Sequence, residues 1–172
     1  MKIGIAIHGG AGTILKSSMT EEKELAYKTA LSEAMNAGYH ILQEGGSSIA
    51  AVEAAVISLE NCPLFNAGRG AVFNALGQHE MDASIMDGKT REAGAIAAVR
   101  NLKNPISLAR EVLYNSDHVL LIGDGAAEFA RQHQIAFEDD SYFHDDYRYA
   151  QWQKIKDTDS FQLDHSKSDK KY

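Results

Sequence analysis

The spacing of apolar positions changes several times along this chain, and each change marks a new element. Ile3, Ile5 and Ile7 alternate with Gly4 and Ala6, a period of two that predicts a strand buried on both faces. It runs into His8-Gly9-Gly10-Ala11-Gly12, where glycine opens backbone shapes closed to other residues. A helical period follows through Tyr27, Leu31, Ala34, Met35, Gly38 and Leu42. Thr20 is its cap, Glu21 and Glu22 sit in the first turn where the macrodipole favours acids, and Gly45-Gly46 ends it. Ser47 or Ser48 caps a second helix with Ala51, Val52, Ala55, Val56 and Leu59 on one face, stopped by Pro63.

Beyond Pro63 the pattern shortens. Cys62 to Gly70 reads as a loop, and Val72-Phe73 opens a strand that turns near Gly77. Met81 to Met86 and Ala93 to Val99 predict two strands joined as a hairpin across Asp87-Gly88. Asn104-Pro105 starts a helix with Ile106, Ala109, Val112 and Leu113 inward. Val119 to Ile122 is a short strand, followed by a Gly123-Asp124-Gly125 turn and a helix through Ala130. Residues 1–155 thus read as one α/β (α+β) unit. Residues 156–172 mix charge and serine with little to bury, and predict a flexible C-terminal linker.

Composition narrows the class. The chain has 172 residues, is 44% apolar, and carries 24 acids against 17 bases, for a net charge of -7. A domain of this size buries roughly 70% of its unfolded surface, enough for a real core. The acidic balance and the lack of a Lys/Arg cluster before the last few residues argue against nucleic acid as a partner. No segment reaches the ~20 apolar residues of a membrane span, so no membrane is expected. The single cysteine, Cys62, cannot close an intrachain bridge, which with no signal h-region points to the cytoplasm.

Most familiar motifs fail here. HGGAG lacks both the G-x-G-x-x-G spacing and a following G-K-[ST], so neither a dinucleotide fingerprint nor a P-loop is present. Gly45-Gly46-Ser47-Ser48-Ile49 is not G-x-S-x-G, which leaves a serine hydrolase without support. Of the seven histidines, only His79-x-x-Asp82 forms a tight pair, and no zinc site is assigned. Asp139-Asp140 and Asp145-Asp146 read as solvated charge. The Asn66-Ala67-Gly68-Arg69-Gly70 loop can turn several carbonyl oxygens inward to hold a hard cation, or can simply be a tight connection.

Three stretches are less generic: Ile5 to Gly12, Leu59 to Phe73 (LENCPLFNAGRGAVF), and Met81 to Gly88 (MDASIMDG). In this order they resemble the plant-type L-asparaginase / isoaspartyl aminopeptidase family of N-terminal-nucleophile hydrolases. Asn104-Pro105 and Leu121 to Ala126 agree, and the resemblance covers Met1 to about Ala130. It implies an αββα four-layer sandwich completed by a separate β chain. A precursor would cleave itself before a threonine, whose freed amine then acts as base for its own hydroxyl. This chain would be the α subunit, paired with that β chain in an (αβ)2 heterotetramer.

The resemblance also assigns roles. The nucleophile would start the β chain, so no catalytic residue is expected here. His8, Gly9 and Gly10 match the turn beside the nucleophile, and Asn66 matches an asparagine that supports it. The main-chain carbonyls of Leu59, Glu60, Cys62, Phe65, Ala67 and Arg69 match a structural sodium site, and no organic cofactor is implied. Val112 to His118 resembles a second ion loop of some plant members, and no second ion is assigned. The implied substrates are small molecules, L-asparagine and β-aspartyl dipeptides. A non-catalytic homologue of the same fold and a glycosylasparaginase-like relative are the alternatives.

Overall fold

The computed structural model describes residues 2–10, 19–156, 158, 162–163 and 166–167. Ala11 and Gly12, and most of the expected linker, lie outside the described residues. Helix α1 spans Glu21–Gln43, and Thr20 caps it by accepting the Lys23 amide at 3.2 Å. Helix α2 spans Ser48–Glu60, with Ser47 rather than Ser48 as its cap. The two pack against each other where Gly38 leaves room for the Ala51 carbonyl and Ala55. The buried face of α2 is Ile49, Ala51, Ala55 and Glu60. It is rotated from the expected stripe, and Val52 is exposed. The helix also ends at Glu60, short of Pro63.

Strands β1 (Met81–Met86) and β2 (Ala93–Val99) form the expected antiparallel hairpin, and β3 (Leu120–Ile122) adds parallel to β2. Helices α3 (Pro105–Asn115) and α4 (Gly123–Gln132) cover one face of this sheet. Side chains alternate across a strand, so Ile85, Ile96, Val99 and Leu121 point at those helices and form the core with Leu108, Ala109, Val112 and Ala126. Gly94 is where α3 comes closest: a Cβ there would collide with the backbone of Ala109 and Leu113.

The opposite face is bare. Ser84 pairs with Ala95, which pairs with Leu120, and Ala97 pairs with Ile122. Leu120 is 54% exposed, Ile122 62% and Met86 57%, so this sheet buries only one side. Burial on two faces is the rule where strands run parallel.

Three expectations need correction. Ile3 to Ile7 belongs to no sheet among the described residues, and Ile3 is 40% exposed. Its anchor is instead Ile5, whose side chain lies over Gly38 of α1. Val72-Phe73 opens no strand, because Asn74 organises a loop: its Oδ1 accepts the amides of Leu76 and Gln78 at 2.9 and 3.0 Å. The Gly123-Asp124-Gly125 stretch is not a separate turn but the first turn of α4.

Two helices were not anticipated. They are α5 (Asp140–Phe143) and α6 (Asp146–Ile155). Asp145, read as solvated charge, caps α6 by accepting the Arg148 amide at 2.9 Å. In the tail, β4 (Gln162–Leu163) and β5 (Ser166–Lys167) pair antiparallel.

Helices α2 and α3 are joined by Glu53, which accepts from Ser107 at 3.1 Å and pairs with Arg110 at 3.3 Å, and by one buried group. Glu60 is 3% exposed; its Oε1 accepts the Ile106 amide at 3.0 Å and its Oε2 the Asn104 side-chain amide at 3.2 Å. It supplies the cap that Asn104 does not give α3. Burial pushes the Glu60 carboxyl up to about 7 against the pull of these donors. Between its ordinary value and about 7 the folded chain keeps a proton that the unfolded chain has released. Stability should therefore fall as pH rises through that window, by up to about 3 kcal/mol. Denaturant melts at pH 5 and pH 8 check this. Glu60→Gln should remove most of the difference; an unchanged difference would place its origin elsewhere.

Candidate functional site

The first two matched motifs meet at the end of α2. After Glu60 the chain closes a run of short turns: Cys62 N–H donates to the Leu59 carbonyl at 3.1 Å, Phe65 to Cys62 at 3.5 Å, Ala67 to Phe65 at 2.9 Å and Gly70 to Ala67 at 3.1 Å. The last turn is a 3-10 helix, Gly68–Gly70. It fits only because two side chains are missing. A Cβ on Gly70 would strike the Phe65 and Pro63 carbonyls, and one on Gly68 would strike the Glu60 carbonyl.

Phe65 ties this loop to the first motif. Its side chain is 6% exposed and meets Tyr27 of α1 edge to face, with ring centroids 5.8 Å apart. The Tyr27 hydroxyl donates to the Leu64 carbonyl at 3.2 Å. Gly9 presses on the same Phe65 ring and on Leu31, with its Cβ position 3.2 and 2.9 Å from them. The His8-Gly9-Gly10 turn is thus packed beside the loop. Gly10 takes φ +113°, and its amide donates to His8 Nδ1 at 3.2 Å.

Asn66 follows Phe65 and is exposed. Its Oδ1 accepts the Val72 amide at 3.0 Å, which fixes the side chain and leaves its NH2 directed away from that bond. Arg69 is also exposed, with its guanidinium 5.6 Å from the centre of the Tyr142 ring. Tyr142 in turn donates to Asn61 Oδ1 at 3.4 Å, so α5 braces the loop from outside. Sequence reasoning missed both Tyr142 and the Glu60 carboxylate. An Asp N-cap with a second acid in the first turn, Asp145-Asp146, was available as the signal for α6; nothing local marks Tyr142.

The six carbonyl positions differ in setting. Glu60 and Phe65 are buried, Leu59, Cys62 and Ala67 half-buried, and Arg69 exposed. Leu59, Cys62, Phe65 and Ala67 each already accept one amide, and a carbonyl oxygen has a second lone pair to give. Such an all-oxygen set suits a hard cation. Among the described residues, no group of three or more His, Cys, Asp or Glu side chains gathers as a metal site. The His79 and Asp82 pair is split accordingly: Asp82 Oδ1 accepts the Ala98 amide at 2.7 Å across the bulge of the hairpin, while His79 is buried among aromatic rings. Burial holds the His79 pKa below its ordinary value.

Glycine-shaped turns and a capped helix end thus meet on a mixed α/β scaffold. A family model described as asparaginase matches residues 1–172, and the chain belongs to this family. It is 45% identical over 165 residues to an isoaspartyl peptidase of Salmonella typhimurium, covering 96% of this chain and 53% of that protein. It is 44% identical over 161 residues to a putative isoaspartyl peptidase/L-asparaginase of Dictyostelium discoideum, covering 94% and 46%. A plant-type L-asparaginase of Pyrococcus abyssi is 46% identical over 155 residues, at 90% and 48% coverage. The chain spans about half the length of the curated relatives it matches. Among the described residues, no helix is long and apolar enough to cross a membrane.

The loop's dependence on glycine is measurable. Gly70→Ala should cost about 2 kcal/mol or more, because backbone carbonyls cannot step aside as a flexible side chain does. Gly88→Ala, where nothing lies within 4 Å, should stay within about 0.5 kcal/mol. Paired thermal melts of the two variants decide between a steric loop and a tolerant one.

Proposed function

We propose that this chain is the α subunit of a self-cleaving threonine hydrolase acting on L-asparagine and on β-aspartyl dipeptides. The observation that carries the reading is the run of matched motifs, two of them packed together at the end of α2, in a chain whose relatives bear those activities in their names. The bare sheet face supports a second sheet packed on it. In this reading a β-chain sheet lies on Met86, Leu120 and Ile122, giving the αββα sandwich and then an (αβ)2 heterotetramer. The 156–172 segment is proposed as the linker toward the cleavage site. The proposed setting is the cytoplasm.

The chemistry runs on the β chain. Its N-terminal threonine attacks the side-chain carbonyl, with its own amine taking the hydroxyl proton. The C–N bond breaks, ammonia or an amino acid leaves, and water then cleaves the acyl ester to release aspartate. Both substrates present the same carbonyl, so one pocket serves both. This chain supports that step. His8, Gly9 and Gly10 provide a backbone wall with no side chain to obstruct the threonine. Asn66, held by its bond to Val72, directs its NH2 toward the threonine.

A sodium ion held by the carbonyls of Leu59, Glu60, Cys62, Phe65, Ala67 and Arg69 would stiffen the loop that carries Asn66. It supplies charge to the carbonyl cluster and takes no part in bond breaking. A non-catalytic homologue is less favoured, given the relatives' names.

The test is co-expression of this chain with the downstream segment of its reading frame. Ammonia from asparagine and leucine from β-aspartyl-leucine are the readouts. Replacing the first β-chain threonine by alanine should abolish both. Asn66→Ala should lower kcat/KM by about tenfold or more while leaving cleavage into two chains detectable. Activity that survives the threonine replacement would overturn the mechanism.

A further inference from the structure

Asn66 is exposed, and most of what shapes the chain around it comes from the loop itself. The main-chain bonds there are short in sequence: Phe65 to Cys62, Ala67 to Phe65, Gly70 to Ala67 and Ala71 to Gly68. The close contacts of Gly68 and Gly70 are with Glu60, Pro63 and Phe65, also near in sequence. Such contacts fix the shape of a loop. Its placement on the rest of the molecule needs contacts from distant elements.

At the ends of the loop these reach Asn61, from Asn104 and Tyr142, and Arg69, from Tyr142. Beside Asn66 the distant contact is Tyr27 of α1. Its hydroxyl donates to the Leu64 carbonyl at 3.2 Å, across 37 residues of sequence and in a part-buried setting. Its ring meets Phe65 edge to face, at 5.8 Å and 78°. One side chain thus holds both residues that precede Asn66, Leu64 by its main chain and Phe65 by its ring. Phe65 is buried with Gly9 against it, so the same contact registers the loop on the 8–10 turn. Tyr27 is a stiff support. It stands in the second turn of a capped 23-residue helix and has only two side-chain torsions to fix.

We propose that Tyr27 is a positioning residue for Asn66: its hydroxyl on Leu64 and its ring on Phe65 set where the Asn66 amide stands relative to the reacting threonine. The inference rests on the hydrolase reading for what Asn66 does, and Tyr27 acts through Asn66 rather than on substrate. Asn66 Oδ1 is committed to the Val72 amide, so its NH2 points where the loop carries it. A displacement on the order of 1 Å at a reacting centre can cost about a hundredfold in rate. Loss of one bond at the seat of this loop is therefore enough to register in turnover.

The test uses this chain co-expressed with the downstream segment of its reading frame. Tyr27→Phe removes the hydroxyl and keeps the ring on Phe65, so the variant should fold and melt within about 4 °C of the unmodified protein. It should lower kcat for asparagine about fivefold while KM changes by less than about twofold. In an Asn66→Ala background the same substitution should change kcat by less than about twofold, because the group it acts through is gone. Hydrogen exchange at the Val72 amide, which Asn66 Oδ1 protects, should be about threefold faster in Tyr27→Phe. An equal loss of kcat with and without Asn66, or an unchanged Val72 exchange rate, overturns the proposal. No turnover by the unmodified enzyme would instead overturn the hydrolase reading, and the exchange rates would still decide whether Tyr27 holds Asn66 in place.

Discussion

A carboxylate stripped of water holds the two halves of this fold together. Glu60 ends α2, and the amide it accepts belongs to the first turn of α3. Everything that follows Glu60 in the loop is measured from that point. The Gly68 backbone packs against the Glu60 carbonyl, and Gly70 against Phe65, so the path of the loop is set by main-chain contact. A buried carboxyl accepting two donors is costly to desolvate yet rigid once satisfied. Here the cost shows as the raised pKa of Glu60, and the benefit is a loop whose carbonyls and Asn66 have fixed directions.

Rigidity at that end contrasts with incompleteness at the sheet. Helices α3 and α4 bury one face well enough to leave Ile96, Val99 and Leu108 at 1% exposure or less. The same strands present Met86, Leu120 and Ile122 to solvent. An apolar patch rimmed by charge is the usual mark of an interface. The Ile3–Ile7 segment has the same character, a strand pattern with no strand beside it among the described residues. Both features leave apolar surface without a covering element among the described residues.

How much of this was readable beforehand depends on which force decided each element. The capped helices were legible because Thr20, Ser47 and Asn104-Pro105 act within one turn of chain. The β1–β2 hairpin was legible because alternation over six and seven residues admits few other packings. The 72–79 stretch was misread because a single side chain, Asn74, offered its loop a better set of bonds than a ladder would. Helix α6 was missed because its buried positions are Arg148 and Gln151, polar residues that no hydrophobic period would flag. Of the site, the glycines and Asn66 stood out as a motif, whereas the Glu60 carboxylate looked like any surface acid at a helix end. Its burial is a property of where α3 begins, 46 residues on.

The same reasoning explains why α5 and α6 are more than a surface appendage. Their apolar content is modest, yet Phe143 is 1% exposed and Trp152 lies flat on Gly77. Aromatic rings can bury large areas from a short segment, so a four-residue helix and a ten-residue one suffice to close over the 73–79 loop. In doing so they bring Tyr142 against Arg69 on one side and His144 and Tyr149 toward His79 on the other. One face of this segment therefore braces the loop that carries Asn66, and its other face closes over His79 and Phe73. The two faces are joined by adjoining residues, Tyr142 and Phe143, whose rings meet at 5.0 Å.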